Sequence, residues 1–362
     1  MSNQFRGYSL AAGTFFSVLA LAFQPLYIVA GLLLWLFAFC SFKLLARRAL
    51  VQSMVLIGVG LAGLSYSLLE GASAPLYRLI NSNTQLLAML TAVSFLSLIA
   101  TPSKHSKKRH PPAGKKGLIS TLISGHFFSA IINMSAILII AEKLSERRTI
   151  DTRTASLLTI NFAVCALWSP FFAAMAYTLS LVPNMSLLAV MSVGAPMGLI
   201  SLAMLYWLNQ APESQMTGYP LKGRNLVLPT LLAITVIVAH EIWPTISITQ
   251  IIAISAPVLV ITVLLYEGRP QQLHSHIVNR LAKMHNEITL FLAAGVFAIG
   301  LGEFFKVVPP WLPFSHYGPL EASLTLGFCL VAGRLGVHVI MIMAVIAPLL
   351  LTLEPDPNLL AM

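Results

Sequence analysis

Long apolar runs separated by short polar or basic loops make up most of this chain and restrict what it can fold into. Of the 362 residues, 57% are hydrophobic and 9% are charged, whereas a soluble domain carries about 25% charged residues. Such a chain cannot bury its apolar surface in one core, and runs of about 17–25 apolar residues span a bilayer as helices. We therefore predict an all-α polytopic membrane protein. Its apolar segments lie near residues 9–23, 25–42, 49–69, 84–100, 118–141, 156–182, 186–208, 226–242, 246–266, 288–305 and 318–352.

Positively charged residues collect in the loops between these segments. The loops at 43–48, 101–117, 142–155, 209–225 and 267–287 hold 18 of the 22 lysines and arginines. Because such loops mark the cytoplasmic side of a membrane protein, we expect a multi-pass protein of the cytoplasmic (inner) membrane. The same distribution explains the net charge of +10 without a nucleic-acid partner, so the lipid bilayer is the expected surroundings.

Segment 118–141 has a basic loop on each side. If both loops are cytoplasmic, the chain enters the membrane and returns on the same side, as a re-entrant helical hairpin over about residues 117–142. The bend is then expected near Gly125 to Ser129, where polar backbone is tolerated against protein or a wet cavity. The alternative is one ordinary span with positive charge at both ends.

Part of this pattern recurs about two hundred residues further along the chain. Asn83 opens one apolar run and Asn286 opens another at an offset of 203, and Asn133 is matched by His338 at an offset of 205. The basic loops place the two copies in opposite orientations across the membrane. Inverted repeats of this kind build transporters whose site lies between the two halves.

The repeat divides the chain into four parts. Residues 1–48 form N-terminal helices, and residues 49–208 form the first repeat, in which the hairpin is followed by a broken helix at 156–182. Residues 209–285 hold a loop, two spans and an amphipathic linker. Residues 286–362 form an incomplete second repeat.

The amphipathic linker follows Gly268. Its apolar residues recur at helical spacing, as expected of a helix at the membrane surface. These residues are Leu273, Ile277, Leu281 and Met284. Metal binding by His274 and His276 in the same helix is an alternative function of this segment.

Small and polar residues interrupt the apolar run of the first hairpin. They are Ser124, Gly125, His126, Ser129 and Asn133. At a hairpin tip, the free N–H groups of a helix N-terminus favour an anion, and carbonyl groups at a helix C-terminus favour Na⁺ or H⁺. We predict that these residues bind the substrate or the coupling ion. The alternative is that Ser129 and Asn133 only hydrogen-bond neighbouring helices.

The sequence Trp168-Ser169-Pro170 interrupts the long run 156–182. Pro170 removes a backbone hydrogen bond, and Ser169 can bond the groups that are left free. A broken helix beside a hairpin is the geometry of transporter binding sites, so Ser169 and Pro170 join the predicted site. A tolerated proline kink is the alternative.

The second hairpin, at about 318–352, is expected to bend near Arg334. A charge at membrane depth usually faces a cavity or a partner and marks function, so Arg334 could neutralise a substrate carboxylate. Gly336 lies at the bend, and His338 could carry a proton. The alternative is that Arg334 reaches the membrane surface or pairs with Glu303 or Glu321.

Enzyme motifs are absent from the sequence. The chain has no G-x-x-x-x-G-K-[ST], no G-x-S-x-G and no H-E-x-x-H. Its three cysteines lie in apolar stretches without metal-binding spacing. We therefore expect no enzyme, no bound metal and no cofactor other than Na⁺ or H⁺ as the coupling ion.

The chain resembles the ion transporter superfamily of secondary carriers, which includes arsenite, citrate, dicarboxylate and TRAP-type large permease families. The residues that carry the resemblance are 124–135, 168–170 and 334–338. The resemblance covers roughly residues 80–350. It implies two inverted halves, each with a re-entrant hairpin followed by a broken helix. It also implies organic or inorganic anions as substrates, driven by Na⁺ or H⁺, and it allows for a homodimer.

The second half departs from this pattern because its broken helix would fall beyond Met362. We therefore expect either a truncated chain or a reduced carrier. The sequence predicts a secondary active transporter of a small anionic solute coupled to Na⁺ or H⁺. The alternatives are a non-transporting integral membrane subunit and a membrane-embedded enzyme that uses Glu303, His316 and Glu321.

Overall fold

The chain folds entirely into helices in the part that the structure describes. The computed structural model describes residues 2–100, 112–146, 149–210, 218–219, 223–309, 311–337 and 339–362. Within these ranges there is no β-strand, which confirms the all-α prediction. The inverted repeat and the re-entrant hairpins stay predictions.

Eighteen α-helices lie within the described ranges, and short 3₁₀ turns follow several of them. They are α1 (Asn3–Leu19), α2 (Leu26–Ser41), α3 (Arg47–Leu69), α4 (Leu76–Ile80), α5 (Thr84–Phe95), α6 (Ser97–Ala100), α7 (Gly114–Ile132), α8 (Met134–Ser145), α9 (Thr152–Val164), α10 (Ala173–Leu181), α11 (Leu187–Leu208), α12 (Gly223–Ile242), α13 (Ile248–Tyr266), α14 (Gln271–Asn279), α15 (His285–Val307), α16 (Pro319–Arg334), α17 (Val339–Leu350) and α18 (Pro357–Ala361).

Six helical segments of the described chain are long and apolar enough to cross a bilayer by length and composition. They are Leu26–Leu44, Arg47–Leu69, Leu76–Ile99, Leu187–Leu208, Ile248–Tyr266 and His285–Val307. Many of their large apolar side chains are exposed, as expected where lipid rather than water is the solvent. These helices indicate a multi-pass membrane protein.

The helices form two compact units that alternate along the chain. The first unit consists of Met1–Ala88, Tyr177–Leu187 and Ser275–Met362, and the second consists of Met89–Ala176 and Leu188–His274. Each unit therefore combines residues from distant parts of the sequence, and neither matches one predicted repeat.

The core of the first unit is the crossing of α3 and α15, which run in the same direction. Gly60 lies so close to α15 that a Cβ atom there would stand 2.7 Å from the Cα of Phe297, and Gly300 packs its backbone directly on Gly60. Further along, the rings of Tyr66 and Phe304 meet edge to face at 5.5 Å. Small residues permit this close approach of the two backbones. In lipid the hydrophobic effect does not favour helix–helix contact, so close packing of this kind drives helix association.

Two asparagines fix neighbouring helices in this unit. Asn83 lies between α4 and α5 with a positive φ of 54°, and its Nδ2 donates to Phe291 O at 2.7 Å. Asn286, in the first turn of α15, accepts a hydrogen bond from Ala46 N at 2.9 Å. The two asparagines that define the predicted repeat offset therefore both tie a helix end to another segment.

The predicted linker forms α14 and a 3₁₀ turn at Leu281–Lys283. Its backbone at Ile277 packs directly against Gly7 of α1, and Leu281 is fully buried. His276 is also buried, although the helical pattern placed only the apolar residues on the inner face. Burial, with a smaller contribution from the nearby Arg280, lowers the pKa of His276 to about 4.

Replacing Gly60 or Gly300 with alanine is expected to destabilise the protein by about 1–3 kcal/mol, because the added methyl group meets backbone that cannot move aside. Thermal unfolding in detergent measures the loss. Gly58→Ala and Gly302→Ala are matched controls on the same two helices, since nothing lies within 4 Å of a Cβ at either position. An equal loss in test and control variants would contradict the role of the crossing.

Acid is expected to weaken the contact between the linker and α1. The unfolded state protonates His276 below about pH 6.5, but the folded state does so only near its pKa of about 4. The free energy of unfolding should therefore fall by up to about 3 kcal/mol as the pH drops through this window. Unfolding midpoints of the wild type and of His276→Gln, measured against pH, test this, with the exposed His274→Gln as the control. Equal acid sensitivity of wild type and His276→Gln would refute it.

Candidate functional site

The first predicted hairpin does not bend where the sequence placed the bend. Helix α7 continues through Gly125 and Ser129 and ends at Ile132. Gly125 serves close packing instead, because a Cβ there would stand 2.7 Å from Nδ2 of Asn161. The helix breaks at Asn133, whose φ of 57° and ψ of −142° lie outside helical space, and α8 begins at the next residue.

The second break lies where Pro170 predicted it. Helix α9 ends at Val164 and continues as a 3₁₀ turn to Leu167, and α10 begins at Ala173. Within the break, Ser169 Oγ donates to Ala130 O on α7 and accepts from Phe171 N at 3.2 Å. Ser169 thereby replaces hydrogen bonds that the broken helix has lost.

The two breaks are joined directly. Nδ2 of Asn133 donates to Phe171 O at 3.4 Å, and Ser169 bonds the last turn of α7. The predicted site residues Ser129, Asn133, Ser169 and Pro170 therefore belong to adjoining segments of the second unit. Ser129 also supplies the carbonyl that accepts from Asn133 N at 3.1 Å.

His126 forms the centre of a polar cluster on α7, about two helical turns before the break at Asn133. Its Nε2 accepts a hydrogen bond from Trp168 Nε1 at 2.9 Å, and its Nδ1 lies 3.4 Å from both Asn161 O and Cys165 Sγ. The Cys165 thiol donates to His126 O at 3.2 Å. His126 is 4% exposed and Cys165 is fully buried, whereas Trp168 is half-buried.

Two buried oxygens, one on α7 and one on α9, have no hydrogen-bond partner within the described residues. They are Ser124 Oγ and Asn161 Oδ1, both fully covered by protein. Asn161 is 1% exposed, and its Nδ2 donates to Leu122 O at 3.0 Å. Unsatisfied buried oxygens are uncommon and call for an explanation at the site where they occur.

Asn161 and Cys165 were missed from the sequence, and Trp168 was noted only as part of the break. The three residues follow one another at spacings of four and three, which places them on one face of a helix. The sequence did contain a signal for this cluster, because Asn161 is a polar residue in an apolar run and lies at helical spacing from Cys165 and Trp168.

The predicted residues of the second hairpin belong to the first unit. Helix α16 ends at Arg334, and Gly336 takes a φ of 93°, so the helical run does break near the predicted position. The Arg334 side chain is exposed. His338 lies outside the described residues.

Pairing of Arg334 with Glu303 or Glu321 does not occur. Glu303 accepts hydrogen bonds from Arg78 Nη1 at 2.6 Å and from Lys306 Nζ at 2.8 Å. Glu321 accepts from Gly318 N at 2.9 Å and lies 3.6 Å from His316 Nε2. Both carboxylates thus have other partners, and Arg78 lies 225 residues from Glu303 in the sequence.

Within the described ranges, no group of three His, Cys, Asp or Glu side chains could hold a metal ion. No protein-family profile, curated protein or solved structure matches the chain. The interpretation of the site therefore depends on its own geometry.

Gly125→Ala is expected to push the Asn161 amide away from Leu122 O and to destabilise the protein by about 1–3 kcal/mol. A double-mutant cycle with Asn161→Ala measures the interaction, because the shorter side chain leaves room for the new methyl group. Unfolding midpoints of the four proteins give the coupling. Strictly additive losses would show that the two residues do not restrain each other.

Proposed function

We propose that this protein is a secondary active transporter of a small anionic solute, coupled to Na⁺ or H⁺, in the cytoplasmic membrane. The observation that carries the proposal is the link between two helix breaks through Asn133 and Phe171. Helices interrupted inside an apolar bundle provide backbone groups for a solute, and transporters use such breaks as binding sites.

The charge of the solute is inferred from the helix ends at these breaks. Helix α8 begins at Met134 and helix α10 begins at Ala173, one beside each break. The N-terminus of a helix carries partial positive charge and N–H groups without intrahelical partners. Two such ends at adjoining breaks suit a small anion, and the carbonyl ends of α7 and of the 3₁₀ turn at the same breaks suit a coupling cation.

The backbone of Asn133 supports a functional role for the first break. Its combination of φ and ψ is one that residues other than glycine rarely adopt, and such strain costs about 1–3 kcal/mol. It persists because neighbouring hydrogen bonds hold it, here through Ser129 O and Phe171 O. Strained residues cluster at binding sites and moving segments.

The first test is uptake into proteoliposomes. Purified protein is reconstituted, and accumulation of labelled succinate, citrate and phosphate is measured under an imposed proton or sodium gradient. Gradient-dependent accumulation above that of empty liposomes supports a carrier. Absence of both accumulation and solute-dependent stabilisation would favour a non-transporting subunit.

Asn133→Gly and Ser169→Ala are expected to lower the apparent affinity for the transported anion about fivefold to tenfold, the equivalent of one lost hydrogen bond. Glycine tolerates the backbone of residue 133, so Asn133→Gly removes the side chain without adding strain. Uptake rates against solute concentration give the affinity.

Ser192→Ala is the matched control for these variants. Ser192 is an exposed serine of the same unit whose Oγ bonds only the local carbonyl of Ala189 among its described contacts. Its uptake should equal that of the wild type. Equal affinities for the wild type, Asn133→Gly and Ser169→Ala in folded protein would show that the breaks are not part of the binding site.

A further inference from the structure

The hydrogen bonds around His126 define where its proton lies. An indole nitrogen can only donate a hydrogen bond, so Trp168 Nε1 at 2.9 Å requires an unprotonated Nε2 on His126. The neutral ring then carries its hydrogen on Nδ1, which faces Asn161 O at 3.4 Å. The Cys165 thiol donates elsewhere, to His126 O.

We propose that the coupling ion is a proton bound at Nε2 of His126, and that Trp168 holds the unprotonated state. The role of this proton as a coupling ion rests on the transport function proposed above. The proton site itself can be tested without transport.

The space around His126 selects a proton over Na⁺. A hard metal cation takes several oxygen ligands, whereas the contacts of the His126 ring are one carbonyl, one thiol and one indole N–H. The ring is almost fully buried. A proton adds to Nε2 without needing a cavity for a solvated ion.

Protonation changes the contact between His126 and Trp168. A proton on Nε2 places two N–H donors opposite each other, so the hydrogen bond is lost and no other bond forms or breaks. The ring centroids lie 5.7 Å apart, close enough for the imidazolium to be attracted by the indole face. The indole packs closely on Gly198, where an added Cβ would stand 3.2 Å from Cδ1 of Trp168, so loss of the hydrogen bond is also felt at this contact.

Movement of Trp168 acts on the break to which it belongs. Trp168 directly precedes Ser169, which bonds Ala130 O and Phe171 N. Phe171 O in turn holds Asn133. A short chain of contacts therefore joins the proton site to both helix breaks.

Among the residues that the structure describes, none places a counter-charge against the His126 ring. The titratable group in contact with its ring is the Cys165 thiol, from the 3₁₀ turn. Helix α9 contributes Asn161, and neither α8 nor α12, which also pack on α7, places a charged group against the ring within the described residues. An anion bound at the adjoining breaks would supply this charge, so proton and anion should each strengthen the binding of the other.

The experiment uses a full-length variant in which Trp35, Trp207, Trp243 and Trp311 are replaced by phenylalanine, leaving Trp168 as the fluorophore. Its emission is titrated in detergent between about pH 8 and pH 4, the range of histidine protonation. A protonated histidine quenches a neighbouring indole. We expect a one-proton transition with roughly a twofold change in emission over about two pH units.

His126→Gln in the same background should abolish this transition, and His240→Gln, in another helix of the same unit, should retain it. A transition that persists in His126→Gln overturns the proposal. So does constant emission across the titration in protein that circular dichroism shows to be folded.

Uptake separates failure of this inference from failure of the proposed function. If anions accumulate under a sodium gradient alone and Trp168 does not titrate, the protein is a carrier and the proton site is refuted. If Trp168 titrates and no gradient drives uptake, the proton site stands without transport and its role in coupling is refuted. Uptake driven by a proton gradient and lost in His126→Gln is the expected result.

Discussion

A helix interrupted in an apolar environment exposes backbone groups that lipid cannot satisfy, and the structure depends on how these groups find partners. Three breaks are closed by a short polar side chain. Ser169 bonds across its own break and to α7, Asn133 reaches Phe171 O, and Asn83 reaches Phe291 O. Because Ala130 and Phe291 lie in other helices and Phe171 lies in the neighbouring break, closing a break also fixes the packing of two segments.

Close helix crossings also stabilise the packing of the helices. In the first unit, α3 and α15 approach through Gly60 and Gly300, and at one end of this pair the buried Glu303 is held by Arg78 and Lys306. Small residues give the helices contact without large side chains, and the paired charge satisfies a carboxylate that burial would otherwise destabilise. The unit is thus held by close packing along its length and by charge near one end.

The sequence predicted helices and the sites of two breaks, because apolar runs and proline act locally. The pattern 156–182 breaks at Trp168-Ser169-Pro170, and the run after Pro319 breaks after Arg334. The bend near Gly125 was wrong, because that glycine accommodates Asn161, a residue 36 positions away. Local sequence does not distinguish a glycine needed for a turn from one needed for a distant neighbour. For the same reason, the sequence did not predict the partner of Glu303 or the cluster around His126.

Charge balance gives a physical reason for the proposed site to use both an anion and a proton. Moving an anion alone into an apolar helix bundle is costly, and so is charging a buried histidine that lacks a carboxylate partner. Together the two charges offset each other. Under the proposed function, the hydrogen bond from Trp168 keeps His126 neutral while the site is empty, and an anion at the breaks makes protonation favourable. Coupling would then arise from electrostatics between adjoining groups, with the short chain from Trp168 to Asn133 carrying the change in conformation.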